Sequence, residues 1–421
     1  MRHFQPTLPE RTLPERVLPA PTLPERALPE AALPEAALPA PTLPEPTTRA
    51  GRSGPLRQEL LEFLLGGGLT FVLLPGFWLL RLLLGADDAE WNIGFLAFYA
   101  AYLINDPHFS VTYLLFYRRV RERLLSPEIS AAQRLRYLWA GFCVPALLAA
   151  WLGLGLARSS AESLGLLFQV MFFLVSWHYV KQAFGVLLVL SARRGVRYSP
   201  LERRLFLFHC LSAWLYARAT PFDPGSAQIE QGVFYHSLPH PSWLMTATLV
   251  PFALGALGLA WALVSFYRRQ RAFAPLVPLS SFLVSTWLWV VYASVDPLLF
   301  YVIPALHSLQ YLYFVYLERA AAARRAEGPP VFGRPLGTAL GLLALSATAL
   351  GFLLFHGLPG VLDDLFVTGA GPDSALGPTP YLAAFVAFVN VHHYFMDSVI
   401  WRREVPEARE LFRAPAGFRA G

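Results

Sequence analysis

Long apolar runs limit what this chain can fold into more than any other feature of its sequence. Of its 421 residues, 55% are hydrophobic and only 15% are charged, whereas about a quarter of the residues of a soluble domain carry a charge. Several runs reach the roughly 20 residues that an α-helix needs to cross a bilayer. The sequence therefore predicts an all-α fold, a polytopic helical bundle that is integral to a membrane.

Ten apolar segments follow residue 58, and we predict one transmembrane helix in each. Loops that carry arginines, such as 118–123 and 268–271, alternate along the chain with loops that carry acidic residues, such as 87–90 and 223–230. Because positive charge is retained on the cytoplasmic side, this alternation predicts about ten transmembrane helices with both termini cytoplasmic. The segments lie near residues 60–84, 91–117, 136–156, 162–190, 203–219, 243–267, 274–294, 297–318, 336–356 and 379–401.

Composition sets three further bounds. Cys143 and Cys210 lie in apolar runs and form no CxxC pair, so a thiolate metal site of the usual spacing is excluded. Lys181 is the only lysine among 34 basic residues, a bias that is typical of a GC-rich bacterial genome, and we expect a protein of the bacterial cytoplasmic, or inner, membrane. The net charge of +6 comes from arginines at the ends of apolar runs, where they orient helices, so no nucleic-acid partner is expected.

The chain divides into three parts. Residues 1–57 repeat Leu-Pro every five residues from Leu8-Pro9 to Leu43-Pro44, and proline at that interval prevents a helix. We expect a disordered, partly polyproline-like tail there. Residues 58–404 are predicted to form the ten-span transmembrane domain, and residues 405–421 a cytoplasmic C-terminal tail.

Histidines interrupt four of the apolar segments. His108, His178 and His307 lie in segments two, four and eight, and the pair His392-His393 lies in segment ten. These segments all run in the same direction, and at 1.5 Å per residue the histidines lie about 15 to 22 Å from the arginines at the inner ends. Polar groups at membrane depth usually face the bundle interior and mark function. The shared depth predicts one metal site, which at most one residue of the adjacent pair joins.

Further polar side chains flank these histidines. Asp397 lies four residues after the second histidine of the pair, on the same helix face, so we predict that it binds the metal or orients an imidazole. Asp106, Lys181 and Tyr311 are candidate catalytic residues that would move protons or hold a polar headgroup. We expect Asp106 or Asp397 to balance the charge of Lys181, and we expect Pro107 to break the second span.

The donor set indicates the metal and the chemistry. Imidazoles and carboxylates without thiolates suit iron, zinc or copper. We expect iron, with zinc as the alternative, because zinc in a membrane usually serves hydrolysis and needs an open water position. Acyl and isoprenoid chains reach this depth, and dioxygen partitions into hydrocarbon. A metal-dependent oxidoreductase of lipid metabolism, acting on a membrane lipid or isoprenoid with a redox partner, is therefore favoured.

In outline, residues 91–401 resemble the membrane-embedded histidine-cluster iron oxygenases, hydroxylases and desaturases. The chain also looks similar to the all-helical carotenoid-cleaving dioxygenases, whose iron is held by single histidines from several spans. The resemblance implies iron ligands at His108, His178, His307 and His392 or His393. The HxxHH box of desaturases is absent, and only His392-His393 is similar to part of it, which favours a mononuclear site.

A proton-coupled membrane transporter is the alternative function. Intramembrane Asp, His and Lys side chains can relay protons, and discontinuous helices can form transport sites. Schiff-base chemistry at Lys181 and metal-free transfer on lipid carriers are further alternatives.

Overall fold

A computed structural model of the chain describes residues 55–127, 129–219, 225–296, 298–326, 335–367 and 376–412. The predicted Leu-Pro tail lies outside the described residues up to residue 54, and so does the C-terminal stretch 413–421.

The described chain is all-α apart from one short β-hairpin. The α-helices are α1 (Pro55–Phe63), α2 (Thr70–Leu84), α3 (Ala86–Ala100), α4 (Asp106–Tyr117), α5 (Val120–Leu125), α6 (Ala131–Leu138), α7 (Val144–Ala157), α8 (Ala161–Arg193), α9 (Pro200–Ala219), α10 (Trp243–Gln270), α11 (Leu276–Leu283), α12 (Leu298–Ala326), α13 (Leu336–Phe352), α14 (Leu358–Phe366), α15 (Pro380–Ile400) and α16 (Pro406–Leu411). The hairpin strands are β1 (Ala227–Glu230) and β2 (Val233–His236).

Each of the ten apolar segments is helical, and several meet the length and hydropathy that a membrane requires. Five continuous helical stretches do so, and the bent pair Leu56–Gly68 and Thr70–Leu84 makes a sixth if it is one span. Four predicted spans, within α3–α4, α9, α12 and α15, do not meet both criteria. Those in α3–α4, α12 and α15 carry most of the polar side chains described below. Their crossing of the membrane stays a prediction.

The outer surface of the bundle is apolar, as the membrane assignment requires. Leu82 is 84% exposed, and Trp91, Leu257 and Leu345 are between 67% and 69% exposed. Apolar exposure on this scale costs free energy in water, because each buried CH₂ group contributes about 0.8 kcal/mol. Lipid is the solvent in which such a surface is stable.

Three of the prolines inside the spans directly follow π-helical turns. Pro107, Pro145 and Pro359 each lie two residues after such a turn, at 101–105, 139–143 and 353–357. Proline removes one backbone donor and its ring displaces the preceding carbonyl, and a wider turn absorbs both effects. The expected break of the second span at Pro107 is wrong, since Asn105 and Asp106 keep right-handed helical backbone angles.

The first predicted span is the one that bends sharply. The helical stretches Leu56–Gly68 and Thr70–Leu84 meet at an angle of 55°, and Gly67 at the bend has φ +126°. The carbonyl of Gly66, next to the bend, accepts a hydrogen bond of 2.6 Å from the amide of Gln310 on α12. A side chain from a neighbouring helix therefore satisfies backbone at a point where the helix is distorted, as the apolar surroundings require.

Helix packing brings four polar segments together. α15 packs against both α4 and α8, and α12 contacts α3 and α4. α13 lies close to α4 because Gly351 has no side chain: a Cβ there would lie 3.0 Å from the carbonyl oxygen of Asp106. α16, within the segment that the sequence assigned to the C-terminal tail, packs on α12. Its Glu407 forms ion pairs with Arg119 and Arg123.

The glycine at the bend offers a stability test. Gly67→Ala should lower the thermal unfolding temperature in detergent, because alanine disfavours φ +126° and its Cβ would meet Trp289 and Val284 at 3.3 Å. Strain of this kind costs about 1–3 kcal/mol. Gly76→Ala is the matched control, since that glycine lies within α2 with open space around it. It should leave the unfolding temperature unchanged or raise it. Equal unfolding temperatures for the two variants would contradict the role assigned to Gly67.

Candidate metal centre

Four histidines from four different helices converge inside the bundle. His108 of α4, His178 of α8, His307 of α12 and His393 of α15 each offer a ligand atom, and these atoms all lie within 4.8 Å of one another. The four side chains are buried, with between 0% and 6% of their surface exposed. A group of this kind can hold a metal ion, because neutral imidazole is the commonest protein ligand for transition metals.

The imidazole groups are close to the spacing that a metal imposes. The Nε2 atoms of His178 and His307 lie 3.0 Å apart. The ring centroids of His108 and His393 lie 4.5 Å apart. Ligand nitrogens around a tetrahedral ion with bonds of 2.0–2.1 Å lie about 3.3 Å apart, so shifts on the order of 1 Å would draw the four groups onto one ion.

Several ring nitrogens in this group have no hydrogen-bond partner among the described residues. They are His108 Nε2, His307 Nδ1 and both nitrogens of His393. A buried polar atom left without a partner costs about 1–3 kcal/mol. His209 also has two such nitrogens, but it lies against Phe252 and Trp287 rather than against another imidazole. The four-histidine group differs from His209 because its unpartnered ring nitrogens lie close to one another. A metal ion fits among them.

A serine fixes which nitrogen of His108 is available. The hydroxyl of Ser308 donates to Oδ1 of Asn105 over 2.9 Å, and the same oxygen lies 3.0 Å from Nδ1 of His108. Because the single hydroxyl proton is used toward Asn105, Nδ1 of His108 must donate to the hydroxyl oxygen. Nε2 of His108 then keeps its lone pair, which is the tautomer that a metal ligand needs.

Asp397 is the carboxylate nearest to the imidazoles. Its Oδ2 lies 3.7 Å from Nε2 of His178 and 3.8 Å from Nε2 of His393. Its Oδ1 accepts a hydrogen bond of 3.1 Å from the indole of Trp401. The carboxyl group also interacts with the hydroxyl of Tyr311. The sequence placed Asp397 as a ligand or as an orienting group, and this position just outside hydrogen-bonding distance of two imidazoles is suited to either role.

Tyr311 of α12 packs against the four-histidine group. Its hydroxyl lies 2.6 Å from Oγ1 of Thr112, and its ring packs on His108 with 4.6 Å between centroids. Phe109 packs on His393 at 4.8 Å, and Tyr394 stacks on His178 at 4.9 Å. Aromatic rings thus fill the space around the imidazoles and exclude water from it.

His392 does not join its neighbour. Its Nδ1 lies 2.9 Å from the hydroxyl of Tyr113 and its Nε2 lies 2.9 Å from the carbonyl oxygen of Ala140. Both ring nitrogens are thereby engaged outside the four-histidine group. Of the two adjacent histidines that the sequence left open, His393 is the one that faces the others, because successive side chains of a helix point in different directions.

Asp106 and Lys181 lie apart from the four-histidine group. Oδ2 of Asp106 lies 2.9 Å from Nε2 of His356, whose ring stacks on Tyr102 at 4.1 Å. Lys181 is exposed, and its ammonium lies over the ring of Trp177. The expected pairing of Lys181 with Asp106 or Asp397 is wrong, since among the described residues Lys181 forms no ion pair.

Sequence reasoning gave no role to three polar residues: Ser308 and Gln182, which support the site, and His356, which pairs with Asp106 away from it. His356 was overlooked because its partner Asp106 is 250 residues away in the chain. Ser308 directly follows His307 in the sequence, and its contact with His108 of another helix could not be read from that position. Gln182 donates to the Oε1 of Gln310 over 2.8 Å, which ties α8 to α12 one turn below their histidines. The i,i+3 and i,i+4 spacing from each histidine was the available signal for the two glutamines.

Comparisons with protein-family models, with curated proteins and with solved structures found no match. The function of the site is therefore argued from its own geometry.

The serine beside His108 provides a test of how that imidazole is oriented. Ser308→Ala should weaken metal binding about 10- to 100-fold, because His108 loses the partner that sets its tautomer. Ser110→Ala is the matched control: Ser110 is buried on α4, the helix that carries His108, and its hydroxyl has no hydrogen-bond partner among the described residues. Competition with a chelator of known affinity measures both. Equal metal affinity in the two variants would show that Ser308 does not orient His108.

Proposed function

We propose that this protein is a membrane-embedded, metal-dependent oxidoreductase that acts on a lipid or isoprenoid substrate. The observation that carries the proposal is the convergence of His108, His178, His307 and His393 in a water-poor, apolar interior. No cysteine lies in this group, so the donor set is one of nitrogen with oxygen nearby. Such sets suit iron, copper and zinc.

Iron is the metal we propose, and zinc is the alternative. A hydrolytic zinc site needs water at its open position, and the aromatic rings packed around these imidazoles keep water out. Dioxygen is apolar and can enter such surroundings. Bound iron would supply redox chemistry with dioxygen as the oxidant, and a redox partner would supply electrons. The apolar surroundings favour an equally apolar substrate, for which a lipid or isoprenoid chain is the natural class in a membrane.

The chain's own groups have distinct roles in this proposal. Ser308 holds His108 with Nε2 free, and Asp397 balances positive charge beside His178 and His393. The hydroxyl of Tyr311, between Thr112 and Asp397, is the group best placed to hold or pass on a proton at the edge of the site. The proposal gives no proton-transfer role to Lys181 or Asp106, because neither contacts the four-histidine group among the described residues.

The membrane topology belongs to the same proposal. We propose ten spans with both termini on the cytoplasmic face of a bacterial inner membrane, since arginine-rich loops alternate with acidic ones along the described helices. In that arrangement α4, α8, α12 and α15 run in parallel, and their histidines meet in the cytoplasmic half of the bilayer.

Metal content of variant proteins tests the proposed ligands. Purified protein should hold close to one equivalent of iron, and His393→Gln should reduce this to a small fraction, because the amide is a poor substitute for imidazole. His209→Gln is the matched control, since His209 is equally buried and lies outside the group. Elemental analysis after gentle detergent extraction measures both.

Two outcomes would contradict the proposal. A wild-type protein that holds no stoichiometric transition metal could not perform the proposed metal-dependent oxidation. Equal metal loss in His209→Gln and His393→Gln would show that metal content follows general stability rather than ligation. Thermal unfolding of each variant, measured in parallel, separates the two causes of metal loss.

Proton-coupled transport is the second candidate, and the bent first span favours it. Gly67 interrupts that span, and interrupted helices commonly form transport sites. Proteoliposome flux that needs Asp397 and proceeds without bound metal would support transport over oxidation. A proton relay through Asp, His and Lys side chains would need Lys181 in the interior, whereas Lys181 is exposed.

A further inference from the structure

A cavity of about 390 Å³ lies where α4, α12 and α15 end and α16 begins. We call it the arginine cavity, because Arg118, Arg119, Arg123 and Arg319 line it. These arginines belong to the loops that the sequence places on the cytoplasmic side. The cavity therefore lies between the membrane interface and the four-histidine group.

Four arginines and three glutamates, Glu318, Glu407 and Glu410, line the arginine cavity, which leaves one positive charge in excess. Glu407 accepts hydrogen bonds from Arg119 and Arg123, and Arg319 lies 2.9 Å from Glu318. The guanidinium of Arg118 forms no hydrogen bond or ion pair with another described residue. Its charge and that of Arg119 repel the charge of Arg319. An anion placed among these groups would relieve that repulsion and gain charge-assisted hydrogen bonds.

The inner wall of the cavity is apolar. Leu115, Phe116, Ile400 and Trp401 form it. A site with arginines on one side and apolar side chains on the other suits an amphiphile better than a free ion, because the charged end and the chain each find their own partners.

One side chain links the cavity to the imidazoles. Trp401 lines the cavity, its indole donates to Asp397, and its ring packs on Tyr311 with 5.5 Å between centroids. Along α12, Arg319 lies eight residues beyond Tyr311, which is about 12 Å at 1.5 Å per residue. An amphiphile held by its head at Arg319 would extend its chain toward the metal centre.

We propose that the arginine cavity binds the anionic headgroup, a carboxylate or a phosphate, of a single-chain or double-chain amphiphile. That this amphiphile is the substrate rests on the proposed oxidoreductase function. Binding of the headgroup does not, because none of the four histidines lines the cavity.

Matched probes test the charge requirement. Oleate and oleyl alcohol share one chain and differ in the carboxylate. Dioleoyl phosphatidic acid and diolein differ in the phosphate, and inorganic phosphate supplies the anion without a chain. Binding to the full-length protein in a nonionic detergent is measured by microscale thermophoresis. Oleate and phosphatidic acid should bind at least about tenfold more tightly than their uncharged counterparts, the gain expected for a charge-assisted hydrogen bond.

Arginine variants test the location. Arg118→Gln should weaken binding of the anionic amphiphiles about tenfold, and it breaks no ion pair within the described residues. Arg121→Gln is the control, because Arg121 is exposed on α5 and does not line the cavity. It should leave binding unchanged. The His393→Gln variant should bind oleate as the wild type does, so failure at the cavity is distinguishable from failure at the metal centre.

Each outcome either supports or contradicts the proposed headgroup site. Loss of binding in Arg118→Gln but not in Arg121→Gln supports the site, and the tighter of oleate and phosphatidic acid identifies the headgroup. Inorganic phosphate that binds as tightly as phosphatidic acid, or equal loss in the two arginine variants, would overturn the amphiphile site. So would equal affinity for charged and uncharged probes.

Discussion

Polar groups inside this apolar bundle must find partners, and that requirement organises the interior. The carbonyl beside the bend of the first span is paired with the amide of Gln310. Asp106 is paired with His356. Buried polar atoms without a partner also occur elsewhere among the described residues, as at His209 and Ser110, but in the four-histidine group several such nitrogens converge. Each such nitrogen would cost free energy in an apolar interior. A bound cation turns that cost into ligand bonds, which is why a metal centre explains the arrangement better than packing does.

Helix α12 connects most of the functional features. Within two turns it carries four of them. His307 belongs to the four-histidine group, Ser308 contacts His108, Gln310 contacts the bent first span, and Tyr311 contacts Asp397. Arg319 follows near the cytoplasmic side. Because one rigid helix holds all of these groups, their relative positions are fixed by its geometry. A substrate headgroup bound near the end of α12 would be held at a defined distance from the metal centre.

The sequence predicted the broad architecture and the imidazole group because both follow from regular geometry. Apolar runs of about 20 residues predict helices, and a constant rise per residue places His108, His178 and His307 at one depth. The choice between His392 and His393 could not be made this way, since it depends on the rotation of α15 in the bundle. That rotation is set by packing against α4 and α8, which a single sequence does not encode locally. The pair of Asp106 with His356 and the outward position of Lys181 depend on the same long-range packing.

The central claim is that imidazoles from four helices bind one metal ion, and X-ray absorption spectroscopy tests it most directly. The absorption edge of the purified protein identifies the metal, and the extended fine structure reports the ligands and their distances. The account predicts a first shell of nitrogen and oxygen at about 2.0–2.2 Å with the multiple scattering of several imidazoles, without sulfur. A sulfur shell, a first shell without imidazole scattering, or the absence of a transition-metal edge would contradict it.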